Sequence, residues 1–140
     1  MLLRKCAGGL VFNGETVFLL KNDKSEWILP KGVIRDGKEP ESVAVERVKI
    51  ECGVEAEVIS KAGATSYEFY STSRKQPVCN EITWYLMRAQ KDTFSVNQQE
   101  GFQEGGFYPI DEAIEAITYS QDKSLLRMAA EKYRQIERMI

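Results

Sequence analysis

The chain has 140 residues, of which 43% are hydrophobic and 29% are charged, and its formal net charge is −2. This length and composition predict one globular domain with a buried core. No apolar run approaches the roughly 20 residues of a membrane span, and no basic block favours duplex nucleic acid as a partner.

The first residues predict a β-hairpin followed by a short strand. Between residues 7 and 20, two β-rich runs flank Asn13-Gly14, a dipeptide that favours a tight hairpin turn. Residues 27–29 (Trp-Ile-Leu) predict a short strand, which Pro30 ends because proline cannot donate a backbone hydrogen bond.

A loop and a helix follow. Residues 31–39 contain Gly32 and Asp36-Gly37, which are turn signals and predict a loop. The helix is expected from Pro40 to Cys52, because proline suits the first turn and Gly53 suits the position just past the end.

The middle of the chain predicts two further strands. A long strand region is expected over residues 54–70, followed by a polar, basic loop over 71–77. Residues 82–87 (Ile-Thr-Trp-Tyr-Leu-Met) predict a strand that is buried on both faces. Residues 91–100 are polar and predict a loop.

The C-terminal part predicts one strand and two helices. Residues 105–110 read as a strand, and Asp111 is expected to cap a short helix. A final helix is expected from Ser120 or Asp122 to about Met139. Its predicted buried side comprises Leu125, Leu126, Met128, Ala129, Tyr133 and Ile136. Strands with one early and two late helices predict an α+β fold, in which helices cover a mixed sheet.

The available side chains limit the chemistry of any active site. Histidine is absent, which excludes Ser-His-Asp and Cys-His catalysis as well as zinc held by histidine. The three cysteines, Cys6, Cys52 and Cys79, are widely spaced and odd in number. We therefore expect them to be small buried residues in a reduced, cytoplasmic compartment.

Residues 32–54 contain a recognisable motif. Gly32, Val48, Glu51 and the pair Gly53-Val54 stand at the spacing G-x5-E-x7-R-E-U-x-E-E-x-G-U, where U is aliphatic. The segment thus resembles the Nudix box, and the order of motifs along nearly the whole chain looks most like the bacterial diadenosine-tetraphosphate-hydrolase branch. The resemblance implies a single Nudix domain over residues 1–140, with the box at 32–54, folded as an α/β/α sandwich with a mixed β-sheet flanked by helices.

The resemblance also implies a reaction. Nudix enzymes use Mg²⁺ or Mn²⁺ to assist the attack of water on a phosphoanhydride of a nucleoside di- or polyphosphate, including dinucleoside polyphosphates. Glu51 would be the helix ligand of the metal and a catalytic residue, and Gly32 would supply a carbonyl ligand. Four charged positions of the box differ, however, because the chain carries Lys38, Glu46-Arg47 and Ile50 there.

Arg47 and Ile50 replace two carboxylates on the helix face that would hold the metal. Glu46 does not compensate, since it lies about 140° around the helix from Glu51. A guanidinium at position 47 would repel each elementary charge of the ion by about 3 kcal/mol at ~5 Å and an effective dielectric near 20.

Three interpretations of this helix remain open. In the first, the fold binds a phosphate ligand directly, and Arg47 with Lys31 replaces the metal. In the second, an enzyme holds its metal through Glu51, the Gly32 carbonyl and carboxylates from elsewhere. In the third, Glu46 and Arg47 are solvated surface charges, and the protein is a scaffold or binds a partner.

Further candidates lie outside the box. Nudix enzymes often carry a general base or an extra metal ligand on the loop before the last strand, so the resemblance implies Glu104 or Glu100 in this role, with Glu104 preferred. Tyr67 and Tyr70 are candidates for stacking on a base, although core packing is the alternative. Arg74 is a candidate for a distal phosphate, with a charged hairpin loop as the alternative.

Overall fold

Two long strands that lie side by side form the centre of the fold. The structure is a computed structural model, which describes residues 1–139. The elements in chain order are β1 (Leu2–Asn13), β2 (Thr16–Lys21), β3 (Trp27–Ile28), β4 (Lys31–Val33), α1 (Pro40–Cys52), β5 (Ala56–Ser71), β6 (Gln76–Ala89), β7 (Glu104–Pro109), α2 (Ile110–Ala116) and α3 (Ser120–Arg138).

The strands form one mixed sheet. Its main path is β3-β2-β1-β6-β5, with β4 paired to β1 and β7 paired to β2. Strands β1 and β6 run parallel along almost the whole of β1, whereas the other pairs are antiparallel. The predicted turn at Asn13-Gly14 is present. Strand β2 pairs with only the last residues of β1, where Phe12 lies opposite Val17.

Each face of the sheet is covered by helices. On one face α2 and α3 pack over Trp84 and Phe12, and the Phe12 ring stacks on Tyr133 of α3 with 4.5 Å between centroids. On the other face α1 packs over Val11 and Met87. This arrangement confirms the predicted α+β class and the α/β/α sandwich.

The bounds of α1 agree with the prediction. Pro40 occupies the first turn, where its missing N–H costs no helical hydrogen bond. Gly53 ends the helix in the left-handed conformation at φ 66°, and its amide donates to the Lys49 carbonyl.

The first part of the predicted loop is a strand instead. Residues 31–33 form β4, in which Lys31 lies opposite Gly8 and Gly32 opposite Ala7 of β1. The prediction of a loop here was wrong because the three residues gain their strand geometry from pairing with a distant segment. Short sequences carry no signal for such pairing.

Two expectations about the late helices were also wrong. Helix α2 begins at Ile110 with Pro109 as its N-cap, so Asp111 lies in the first turn and does not cap the helix. On α3, Met128 is exposed, whereas Leu125, Leu126 and the other buried positions face the sheet. Helix α3 begins at Ser120, which is one of the two predicted first residues.

Strand β6 contributes to both cores, as predicted for residues 82–87. Trp84 belongs to the core under α2 and α3, and Met87 to the core under α1. Thr83 and Tyr85 remain partly exposed, so the burial of this strand is uneven.

Strand β5 forms an outer edge of the sheet, and α3 covers part of that edge. The Gln121 side chain donates to the Ser66 carbonyl at 2.9 Å and accepts from the Ser66 amide at 3.4 Å. None of the helices within residues 1–139 has the length and apolarity needed to cross a lipid bilayer.

Candidate functional site

Helix α1 places Arg47 and Glu51 in direct contact. The residues are four apart, so their side chains lie on the same helix face. Arg47 donates to Glu51 Oε2 from Nη2 at 2.6 Å and from Nε at 3.1 Å. The Glu51 side chain is only 4% exposed and that of Arg47 25%. Arg47 is therefore not a solvated surface charge, which removes that part of the third interpretation.

Gly32 makes room for the arginine. A Cβ atom at Gly32 would lie 2.5 Å from Arg47 Cδ and 2.6 Å from Cγ. The stem of Arg47 thus rests directly on the backbone of β4, and a residue with a side chain at position 32 would push it away.

A second carboxylate reaches Arg47 from the loop between β6 and β7. Glu100 lies in a short 3-10 turn, Gln98–Glu100. Its Oε1 is 3.5 Å from Arg47 Nη2, and its side chain is 41% exposed. We call Glu51, Arg47 and Glu100 the Arg47 cluster.

Asn97 fixes the start of this turn on the end of α1. Its backbone amide donates to the Glu51 carbonyl at 3.0 Å, and its Nδ2 donates to the Ile50 carbonyl at 3.2 Å. Its Oδ1 accepts from the Gln99 amide at 3.1 Å and caps the turn. Asn97 was not among the predicted residues, although an asparagine three residues before a glutamate is a recognisable capping signal.

Burial and pairing have opposite effects on the cluster. Burial raises the pKa of the Glu51 carboxyl, and the hydrogen bond and charge of Arg47 oppose this rise without cancelling it. Burial by itself would lower the pKa of Arg47, but the hydrogen bonds and charges of Glu51 and Glu100 together outweigh it and the pKa is raised. Arg47 therefore remains a cation, fixed beside the most buried carboxylate of the site.

Lys31 lies on the opposite face of the sheet from Arg47. Its Cβ faces Gly8, beside the Trp84 ring, on the side covered by α3. Its charge nevertheless lowers the pKa of Glu51 across β4, although burial is the largest influence on that carboxyl. Among the described strands, β4 pairs only with β1, so the two cations lie on either side of a short edge strand.

Of the aromatic candidates, Tyr67 lies further along the same face as Lys31, whereas Tyr70 points to the other face of β5. Tyr67 and Phe69 share a face of β5, with ring centroids 5.8 Å apart. The Tyr67 hydroxyl accepts from Asn80 Nδ2 at 3.1 Å, and both rings are exposed. Tyr70 is exposed as well, and Arg74 lies in the turn between β5 and β6. The structure does not bring these two residues to the Arg47 cluster.

Glu104 lies at the start of β7 and has a different partner. Its Oε1 is 3.6 Å from Lys21 Nζ, and the two residues are opposite each other in the pairing of β2 with β7. Of the two loop carboxylates predicted from the resemblance, the structure therefore brings Glu100 to Arg47 and holds Glu104, the preferred one, at Lys21.

The residues at the box do not fit a divalent cation. Mg²⁺ requires several hard oxygen ligands in octahedral geometry. Position 50 offers an apolar side chain, and the one carboxylate of the helix face, Glu51, is already bound to a guanidinium. Within residues 1–139, no group of three or more acidic or cysteine side chains is arranged to hold a metal.

Known proteins share this fold. A model of the NUDIX domain family matches residues 2–128. A C. elegans Ap4A hydrolase in a binary complex is 18% identical, with a TM-score of 0.76 and coverage of 94% of this chain and 98% of that one. An ADP-ribose pyrophosphatase from Streptococcus suis is 17% identical, with a TM-score of 0.70 and coverage of 94% and 92%. The E. coli dihydroneopterin triphosphate pyrophosphohydrolase is 11% identical, with a TM-score of 0.71 and coverage of 90% and 95%. At these identities the structural similarities establish the fold alone.

Proposed function

The chain belongs to the NUDIX domain family, and from this premise we propose that it binds nucleoside di- or polyphosphates without a metal, with Arg47 in the place of the cation. The observation that supports this most directly is the ion pair between Arg47 Nη2 and Glu51 Oε2 at 2.6 Å. A guanidinium at this position supplies the positive charge that a phosphate chain needs. Its planar donors also suit phosphate oxygens.

The position of the second cation supports the same ligand class. Arg47 and Lys31 lie on opposite sides of β4, so a ligand that contacts both must pass along the strand edge. A chain of two or more phosphates offers a separate charged group to each cation, whereas a monophosphate offers one group for both. The exposed rings of Tyr67 and Phe69 lie on the Lys31 side, where a base can stack.

The similar proteins act on ligands of this class by their names, which include an Ap4A hydrolase and an ADP-ribose pyrophosphatase. We propose dinucleoside polyphosphates as the first ligands to test. A cytoplasmic location is part of the proposal, and the three free cysteines support it.

Calorimetry in EDTA tests the proposal. Diadenosine tetraphosphate, ADP-ribose and ADP should bind wild type equally well in EDTA and in Mg²⁺. Arg47→Ala should weaken binding about 10- to 100-fold, because a hydrogen bond to a charged group contributes roughly 1.5–3 kcal/mol. Arg47→Lys keeps the charge without the planar donors, and it should bind with intermediate affinity.

Arg88→Ala is the matched control. Arg88 forms a similar ion pair, with its Nη2 2.7 Å from Glu137 Oε1, but it lies on β6 and not at the box. Its replacement should leave nucleotide affinity unchanged. An Arg47→Ala protein that is folded and binds as tightly as wild type would contradict the proposal.

Metal-assisted hydrolysis is the competing function, and it requires a separate assay. Release of phosphate from the same ligands and from nucleoside triphosphates would be measured with Mg²⁺ or Mn²⁺, for wild type and for Glu51→Gln. We expect no turnover from either protein. Turnover by wild type that disappears in Glu51→Gln would show that Glu51 is a working metal ligand, and the proposed function would then be wrong.

A further inference from the structure

We propose that Glu100 is an internal competitor of the ligand: a phosphate of the nucleotide displaces the Glu100 carboxylate from Arg47 and leaves the pair with Glu51 intact. The inference rests on the proposed function and adds a residue that sets the affinity and charge requirement of the same site. Neither the box motif nor the fold assigns such a role to a loop carboxylate.

The two carboxylates hold Arg47 very differently. Glu51 accepts two hydrogen bonds from Arg47, at 2.6 and 3.1 Å, and its side chain is almost fully buried. Glu100 approaches to 3.5 Å only and remains open to solvent. An ion pair of the second kind contributes little, because water screens it and the side chains lose freedom in forming it. An incoming anion therefore meets the Glu100 contact as the weaker of the two.

The chain around Glu100 allows this displacement without disturbing the rest of the loop. Asn97 is bound to the carbonyls of Ile50 and Glu51 on one side. On the other side, the Gln103 amide donates to the Lys21 carbonyl at 2.8 Å. Between these anchors Gly101 has a φ of 91°, and open space surrounds the position of a Cβ there. The Glu100 side chain is itself 41% exposed, so its carboxylate can turn away from Arg47 into solvent while both anchors stay in place.

The charge at the site also points to competition. With Glu100 in contact, the positive charges of Arg47 and Lys31 are balanced by Glu51 and Glu100. When Glu100 moves away, its repulsion of an anion falls and one donor direction of Arg47 becomes free. A phosphoanhydride with several negative charges gains more from this change than a carboxylate or monophosphate, since the Coulomb energy scales with ligand charge.

Glu100→Gln tests the inference, and Glu57→Gln is its control. Glu57 Oε1 lies 3.5 Å from Arg88 Nη1, the same separation as in the Glu100 contact, and Glu57 is likewise exposed. Calorimetry in EDTA would compare ADP and diadenosine tetraphosphate. Glu100→Gln should tighten binding about two- to fivefold, in line with the strength of an exposed ion pair. Glu57→Gln should bind as wild type does.

A second measurement separates displacement from a general change of charge. In wild type, ADP should shift the backbone amide resonances of residues 98–101 while those of Ser95 and Asn97, which are bound to the end of α1, change little. In Glu100→Gln the contact is already weakened, so the same titration should produce smaller shifts in the turn.

The possible results distinguish failure of the inference from failure of the proposed function. Tighter binding by Glu100→Gln together with shifts of residues 98–101 in wild type supports the inference. Binding by wild type with no gain in Glu100→Gln overturns the inference and leaves the proposed function standing. A gain in affinity without shifts in the wild-type turn also overturns displacement, because the effect would then be that of charge alone. If ADP and diadenosine tetraphosphate bind neither protein, the proposed function fails and the inference fails with it.

Discussion

Two arginines of this protein are held by pairs of glutamates in nearly the same geometry, but in different surroundings. Arg47 has Glu51 at 2.6 Å and Glu100 at 3.5 Å. Arg88 of β6 has Glu137 of α3 at 2.7 Å and a second glutamate at 3.5 Å. The arginine side chains are similarly exposed, 25% and 22%, whereas Glu51 is 4% exposed and Glu137 40%.

The comparison shows that burial of one carboxylate, and not the ion-pair distance, distinguishes the two sites. An exposed pair such as Arg88–Glu137 is screened by water and contributes little to stability. A buried carboxylate depends on its partner, because an unpaired charge in the interior is costly. The burial of Glu51 thus makes the stability of the fold depend more on Arg47 than on Arg88.

The largest predicted difference in stability is between the alanine variants of the two arginines. Arg47→Ala should lower the free energy of unfolding by roughly 2–4 kcal/mol, since it removes both side-chain hydrogen bonds to the buried Glu51 carboxylate. The upper part of the range for a wholly buried pair is not reached because Arg47 is partly exposed. Arg88→Ala should cost less than about 1 kcal/mol. Urea denaturation of both variants measures the two values, and equal losses would contradict the distinction.

A smaller loss of stability is expected when the aliphatic part of the Arg47 side chain is crowded. Gly32→Ala places a methyl group 2.5 Å from Arg47 Cδ, so the guanidinium must move away from Glu51. We expect a loss of about 1–3 kcal/mol, the usual range for overpacking. Gly106→Ala is a suitable control, because a Cβ there would meet its nearest atom at 3.4 Å. If the two alanine variants were equally stable in urea, the contact between Gly32 and Arg47 would have no structural weight.

The smallest predicted effect is a dependence on pH. Burial raises the pKa of Glu51 in the folded state, so the folded protein binds this proton more tightly than the unfolded chain, where the pKa is about 4.3. The stabilising contribution of the proton is complete below that value and is lost as the pH rises through the folded pKa. The stability of wild type minus that of Glu51→Gln should therefore decrease as the pH is raised from about 4 towards 7. Thermal or urea unfolding across that interval would measure it, and a difference that grows with pH would show that Arg47 outweighs burial.

The parts of the fold that local sequence determines were predicted well. The bounds of α1 follow from Pro40 and Gly53 at its two ends, which act on the backbone next to them. Strand β4 was missed because Lys31–Val33 becomes a strand only through pairing with Cys6–Gly8. Met128 was wrongly expected to be buried, since helical spacing alone does not show how far the sheet extends beneath α3.

In the candidate site, too, the contacts between residues close in sequence were predictable and the contacts with a distant loop were not. The i,i+4 spacing of Arg47 and Glu51 was visible in the sequence and implied contact, although Arg47 was interpreted there only as repelling a metal, binding a phosphate or lying in solvent, and not as a partner of Glu51. Glu104 was preferred to Glu100 among the loop carboxylates, whereas the structure places Glu100 at Arg47 because Asn97 is bound to the end of α1. The path of that loop depends on hydrogen bonds to backbone carbonyls, which no side-chain pattern encodes. The functional roles of these residues stay predictions.

The contact between Gln121 and Ser66 has a consequence for behaviour at high concentration. An outer strand of 16 residues, such as β5, exposes backbone groups that a strand of another molecule can adopt as its own partner. The amide side chain of Gln121 engages both backbone groups of Ser66, as a neighbouring peptide unit would. Helix α3 thereby interrupts the edge before a second chain can extend the sheet, and the protein is protected from strand-by-strand aggregation at this point.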